Sequence, residues 1–316
     1  MPNFHPALRR VLFIINLTDV SKTDLRTGRK VSNFFSRLTN FLWGYKFPGF
    51  YKVLKREVLS TEGHQIPIKI FIPKESKEPL PVFMYYHGGG FAYGTYDTKP
   101  NVCKAIAVKA NCIVVSVDYR LSPEHPFPAA INDCYEATQW VAEHAQEFGG
   151  DRSRIAVGGE SAGGNLSACV SVMARDKGTP KILHQTLLYP AVDMTMSEPS
   201  IEKNGQGYML TKPLMVKFRT AYVPNETDRR NTYCSPTFAD LKGLPPALVI
   251  TAEYDPLVDE GNKYAEKLKA AGVPVRHKQF NDTIHDFTLM MPTVLPEAIE
   301  SMEMVVEEVR KAFAHR

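Results

Sequence analysis

The sequence predicts an α/β domain with a mostly parallel central sheet flanked by helices. Short β-branched or apolar runs recur from about residue 53 to about residue 280, and helix-period segments lie between them. Strand–helix–strand order with connections this long implies parallel neighbours joined by right-handed crossovers. Two segments, residues 1–50 and about residues 192–235, stand outside the alternation.

In chain order, Val53–Leu59 and Ile66–Ile72 read as an antiparallel pair joined by a turn at Glu62-Gly63. Val82–Tyr86, Ile113–Val117 and Ile155–Val157 are short, apolar runs of the kind that strands buried on both faces require. Leu183–Tyr189, Ala247–Thr251 and Val275–Phe280 complete the series. Helical periods lie near residues 99–110, 129–146, 162–176, 260–271 and 296–314. Residues 1–50, with Phe34, Phe35, Phe41, Trp43 and Tyr45, are expected to form N-terminal cap helices. Residues 51–316 are expected to form the main domain, with a cap insertion at about 192–235. Both additions fall where they can cover the carboxyl ends of the strands, the edge at which open α/β sheets bind ligands.

The 316 residues suffice for one large domain of this kind, and 44% apolar with 23% charged residues is an ordinary globular balance. The net charge is only +4, and Lys and Arg are scattered apart from the pairs Arg9-Arg10 and Arg229-Arg230, so no basic stripe for nucleic acid is evident. Five cysteines without a C-x-x-C pair are expected to be reduced and mostly buried, with no structural zinc. Arg9-Arg10 precedes the apolar run Val11–Ile15. That run is at the short limit for a signal peptide, lacks a small-residue cleavage site and is far too short to span a bilayer. An amphipathic helix packed on the protein's own surface, and a cytoplasmic chain without stable membrane insertion, are expected.

Gly159-Glu160-Ser161-Ala162-Gly163 matches G-x-S-x-G between a strand and a helix, the context the motif demands. The chain must turn sharply there to expose the serine hydroxyl, and side chains at the flanking positions would clash. Ser161 then lies at a helix N-terminus, where free amides favour developing negative charge. The pattern alone is weak, since about 0.1 chance matches are expected in a chain of this length. His87-Gly88-Gly89-Gly90-Phe91 directly follows a strand, and three successive glycines bring bare amides up to a ligand. An H-G-G-G loop of this kind supplies part of an oxyanion hole, with the amide after the nucleophile, Ala162, as the other donor. Losing one such donor typically costs about 3–4 kcal/mol of barrier. His87 itself reads as a hydrogen bonder that holds the loop.

Behind such a turn the partners follow in the order serine, acid, histidine. His277 falls inside a predicted strand, whereas His285 lies in the predicted loop Asn281–Asp286 just past it, where a general base belongs. Asp255 follows a strand and precedes Pro256, which breaks it, and is the expected acid. Glu253 is the runner-up, and Asp259 and Glu260 are expected to serve the N-terminus of the next helix.

These residues resemble the hormone-sensitive lipase family, which includes the family IV bacterial esterases. The resemblance rests on His87–Phe91, the run Asp118-Tyr119-Arg120-Leu121-Ser122-Pro123-Glu124-His125-Pro126-Phe127-Pro128-Ala129-Ala130, Gly159–Gly164 and Asp255–Gly261. Gly207-Tyr208-Met209-Leu210-Thr211 is similar to the family's cap-helix entry, and the match runs from about residue 50 to the end. It implies an α/β-hydrolase fold with a helical cap. It also implies hydrolysis of short- to medium-chain acyl esters without metal or organic cofactor. Carried over by position, Ser161, Asp255 and His285 are the catalytic residues, and Gly89, Gly90 and Ala162 are the oxyanion donors. The Tyr119–Ala130 segment braces the loop bearing His87. The expected partner is a small-molecule ester, and a homodimer is compatible with the reading. Phe34, Phe35, Met209, Leu210, Met215 and Phe218 are candidates to line an apolar pocket or to pack the cap.

One position departs from the family. His-Gly-Phe is usual at the base, and here the residues are His285-Asp286-Phe287. An acidic neighbour raises the imidazole pKa or reshapes the loop, which bears on the pH optimum. Three alternatives remain open to the sequence. One is a non-catalytic ligand receptor like the plant gibberellin receptors, which lack the base that His285 supplies here. Another is amide hydrolysis or a dehydration at the same site. The third is a membrane-surface lipase anchored by Arg9–Leu17.

Overall fold

Among the described residues eight strands hydrogen-bond into one sheet. They are β1 (Lys52–Leu59), β2 (Gln65–Ile72), β3 (Leu80–Tyr86), β4 (Ile113–Val117), β5 (Gly150–Glu160), β6 (Gln185–Leu188), β7 (Ala247–Tyr254) and β8 (Val275–Ile284). Their order is β1-β2-β4-β3-β5-β6-β7-β8. At the centre β3 and β4 are apolar runs, and they and β6 are buried along their whole length. β1 and β2 are antiparallel, as is β2 to β4, and all later neighbours are parallel. The computed structural model describes residues 2–16, 22–47 and 50–314. Leu17 and the side chain of Trp43 lie outside the described residues.

The helices are α1 (Pro6–Asn16), α2 (Leu25–Trp43), α3 (Pro100–Ala110), α4 (Ala129–His144) and α5 (Ala162–Lys177), followed by α6 (Ser200–Lys203), α7 (Lys212–Tyr222), α8 (Val258–Ala270), α9 (Phe287–Met290) and α10 (Pro296–Ala314). Alternation along the strands divides the core. Val82, Met84 and Tyr86 of β3 join Ile131, Leu166 and Val170 of α4 and α5 on one face. Phe83 and Tyr85 join Ile106 of α3 and Met302 and Val305 of α10 on the other. α1 adds Leu8 and Leu12 to that second face, so it packs on the protein's own surface. Among the described residues no helix is long and apolar enough to cross a membrane.

Two boundaries differ most from the sequence reading. β5 begins at Gly150 rather than Ile155, because Gly150 pairs with Leu80 across a register shift. β8 runs on to Ile284, through residues expected to form a loop. Asn281-Asp282 has turn composition, but Asp282 takes φ 51° inside the strand and its amide donates to Glu253 Oε2 at 2.9 Å. The β7–β8 register slips there, so the turn-like residues make a bulge and not an exit. The five cysteines are buried and free.

Both segments outside the alternation reach the loop that follows β3. Arg29 Nε of α2 donates to the Ala92 carbonyl at 2.5 Å, and Asn33 Oδ1 accepts from the Gly94 amide at 2.9 Å. From α7, the Tyr222 ring stacks on Phe91 at 3.7 Å, and the Phe218 ring occupies the space a Cβ at Gly90 would need.

Candidate active site

Ser161 sits between β5 and α5 with φ 55° and ψ −117°, a strained conformation for a residue with a side chain. The turn is forced close to the end of β3. A Cβ on Gly159 or on Gly163 would run into the Tyr86 carbonyl, so both positions require glycine. Backbone bonds hold the strain: the Ser161 amide donates to the Leu188 carbonyl at 2.9 Å, and its carbonyl accepts from Asn165 at 3.0 Å.

His285 Nε2 lies 2.9 Å from Ser161 Oγ, and His285 Nδ1 lies 2.6 Å from Asp255 Oδ2. The chain separations are 124 and 30 residues, and the sheet closes both. β5 and β7 deliver Ser161 and Asp255 from their carboxyl ends, and His285 follows directly on β8. Asp255 is fully buried, and its other oxygen accepts from the Leu257 amide at 2.9 Å. Asn204 of the inserted segment donates to the Asp255 carbonyl at 3.1 Å. Burial alone depresses the pKa of His285, but the charge and hydrogen bond of Asp255, joined by Asp286, more than offset it, while Lys99 opposes them. The net direction is upward.

Beside this trio the loop after β3 presents its glycines. Gly89 and Gly90 take φ 121° and 60°, and among the described residues no acceptor faces their amides. Ala162, as the first residue of α5, has no intrahelical partner for its own amide. His87 is buried and stacks on Tyr119 at 4.3 Å, and the Tyr119 hydroxyl donates to the His87 carbonyl at 2.6 Å. Burial brings the His87 pKa down to about 4, so the ring is neutral.

Two residues that the sequence reading passed over reach into the site. Glu160, the variable position of the motif, is buried. One of its oxygens accepts from the Gly88 amide at 2.7 Å and the other from the Tyr85 hydroxyl at 2.7 Å. Burial, the largest cause, pushes its pKa upward. Lys99, at the start of α3, reaches both oxygens of Asp286. Neither had a sequence signal, since a motif variable and an isolated lysine carry none.

The remaining candidates fall elsewhere. His277 bonds Asn262 Oδ1 at 3.0 Å on β8, away from Ser161. Glu253 holds the β8 bulge. Asp259 and Glu260 are in the first turn of α8, but their side chains leave the helix. Asp259 accepts from the Ser200 amide at 2.8 Å, and Glu260 accepts from the Val192 amide at 2.6 Å, so both tie down the inserted segment and do not cap their own helix. Of the pocket candidates, Leu210 and Met215 pack with Ile201 and Leu257 in a small cluster of their own. Phe34 and Phe35 are exposed on the outer face of α2.

The sheet order and the strand–turn–helix at residue 161 define an α/β hydrolase. A family model for the alpha/beta hydrolase fold matches residues 83–289. The carboxylesterase NlhH of Mycobacterium tuberculosis is 45% identical over 240 residues, covering 75% of each chain. An arylesterase of Saccharolobus solfataricus is 38% identical over 232 residues, covering 72% of this chain and 75% of its own. A solved hyperthermophilic esterase from the archaeon Pyrobaculum calidifontis superposes with a TM-score of 0.92 at 38% identity, over 98% of this chain and 99% of that one. The chain belongs to the α/β-hydrolase family, in the hormone-sensitive lipase branch of carboxylic-ester hydrolases.

Proposed function

We propose that this chain hydrolyses short- to medium-chain acyl esters through an acyl-enzyme on Ser161. The observation that carries the proposal is the continuous chain of hydrogen bonds from Asp255 through His285 to Ser161, at 2.6 and 2.9 Å, next to the Gly89 and Gly90 amides, which have no acceptor among the described residues.

With the proton on Nδ1 held by Asp255, Nε2 accepts the Ser161 proton as Oγ bonds to the ester carbonyl carbon. The amides of Gly89, Gly90 and Ala162 receive the oxyanion, where preorganised donors act most strongly. Collapse breaks the carbon–alkoxy bond, and the imidazolium gives its proton to the departing alcohol. Water then adds to the acyl carbon with the same histidine as base, and Ser161 leaves with a proton as the carboxylic acid is released. Asp255 keeps the tautomer and stabilises the cation without taking the proton. Phe218, packed on Gly90 and edge-on to Tyr93 at 4.9 Å, crowds the space beside the donors, which supports a preference for smaller acyl groups.

A p-nitrophenyl ester series from acetate to palmitate, run on the wild type and on Ser161→Ala, tests the reading. The wild type is expected to peak at the short to medium esters, and the variant is expected to lose about 10⁴-fold or more in kcat. A variant as active as the wild type overturns the mechanism, and a maximum at palmitate overturns the substrate class.

A further inference from the structure

Helix α2 carries apolar side chains on the side away from the protein. Val31, Phe34, Phe35, Leu38, Phe41 and Leu42 recur at spacings of three and four, so they share one face, and all six are exposed, Phe41 to 74%. On α1, Phe13 is likewise 68% exposed. Soluble proteins rarely leave so many large apolar groups together in water without a use for them.

Within α2 itself the charge is one-sided. α2 contains Arg26, Arg29, Lys30 and Arg37 and no acidic residue. Arg26 and Arg29 are engaged with Glu124. Lys30 and Arg37 are exposed and have no ion pair among the described residues. The first 50 residues hold eight Lys or Arg against two Asp, a net +6, while the whole chain is +4, so the other 266 residues sum to −2. The net positive excess of this protein is therefore carried by its N-terminal segment.

An amphipathic helix with aromatic and leucine side chains on one face and lysine or arginine beside it fits the plane of a lipid–water interface. A second copy of the chain fits poorly. A two-fold contact through α2 would set Lys30 and Arg37 of each copy against the same residues of the other, with no α2 carboxylate to pair them. The opposite face of α2 is clamped to the loop carrying Gly89 and Gly90 through Arg29 and Asn33. A surface docked on the outer face therefore lies next to the mouth of the catalytic cleft.

We propose that the outer face of α2 is a peripheral docking surface for anionic lipid. It would bring the cleft to esters held at a lipid–water interface. Binding stands independently of the acyl-enzyme reading, since it needs no turnover.

The test is flotation of the full chain carrying Ser161→Ala, so that no lipid is consumed, with vesicles of phosphatidylcholine alone or mixed with phosphatidylglycerol. The protein is expected to float with the mixed vesicles, to stay behind with phosphatidylcholine alone, and to be released by about 0.5 M salt, where charge attraction is screened over a few ångströms. Leu38→Gln/Phe41→Gln and, separately, Lys30→Glu/Arg37→Glu are each expected to weaken binding by about tenfold or more. The same substitutions with Ser161 intact are expected to leave p-nitrophenyl butyrate turnover unchanged, which shows that the fold survives. Failure of the unsubstituted surface to float, or flotation that both pairs of substitutions leave intact, overturns the proposal. So does a dimer in solution that Leu38→Gln/Phe41→Gln converts to monomer without any vesicle binding, because a second copy then covers the face.

Discussion

Lys99 Nζ sits 2.7 Å from each carboxylate oxygen of Asp286, the residue that follows His285 in the chain. Asp286 has φ 65°, which explains why glycine suits this position in the family and why aspartate, tolerant of the left-handed region, can replace it. Its charge is met by an ammonium from α3, and the pair flanks His285, the proposed base. Asp286 raises the His285 pKa, and Lys99 lowers it.

The two substitutions should therefore move the acid limb of kcat/KM in opposite directions. The base works only when neutral, so activity appears as pH rises through its pKa. Asp286→Asn removes a charge that stabilises the imidazolium and leaves Lys99 unopposed, so the limb moves to lower pH. Lys99→Met leaves Asp286 unopposed, and the limb moves to higher pH. The double variant should lie near the wild type, since the two effects oppose and the groups are coupled. A pH–rate profile on a short-chain ester reads all three. Limbs that coincide, or that move in the same direction, sink the account.

Much of the fold was legible because its central strands are short apolar runs that only burial on both faces can explain, and Ile113–Val117 is strand over the same five residues that the sequence predicts. Ser161, Asp255 and His285 could be chosen because a motif fixes the first and strand order locates the others. What escaped depends on contacts between distant residues. Lys99 and Asp286 are 187 positions apart, and no pattern links them. Asn281-Asp282 reads locally as a turn, and only pairing with β7 makes it a bulge. The excess of Lys and Arg in the first 50 residues can be counted in the sequence, and its place beside an exposed apolar helix face emerges only once α2 has an inside and an outside.

Glu160 is where the turn at Ser161 grips the glycine loop after β3, since its carboxylate takes the Gly88 amide one residue before Gly89. Glu160→Ala removes that grip and leaves the buried Tyr85 hydroxyl and the Gly88 amide without their partner, each at a cost of about 1–3 kcal/mol. In the proposed mechanism the Gly89 and Gly90 amides are then held less firmly against the oxyanion. A fall of about tenfold to a hundredfold in kcat with KM little changed is expected, because such donors act in the transition state more than in the ground state. Glu160→Gln retains an acceptor for the Gly88 amide and should recover much of the loss. Steady-state kinetics on one short-chain ester distinguishes this from simple destabilisation. Equal losses in both variants at full thermal stability would count against the positioning role.

Glu260 gives a test at the level of stability. Its side chain is buried, one oxygen accepts the Val192 and Asp193 amides at 2.6 and 3.3 Å, and the other has no partner among the described residues. Burial, then the negative charge of Asp193, drives its pKa well above the ordinary carboxylate value, against the pull of the two amides. A raised pKa in the folded state means that the unfolded chain loses this proton first as pH rises. The contribution to stability is thus fully present below the unfolded value of about 4.3 and declines as pH climbs toward the folded value. Glu260→Gln keeps an oxygen for the two amides and cannot ionise. The Tm of the variant minus that of the wild type should therefore increase from pH 4 toward pH 8. A difference that is flat across this range would mean that the fold does not raise the Glu260 pKa, and one that falls with pH would mean that Glu260 is held as a stabilising anion.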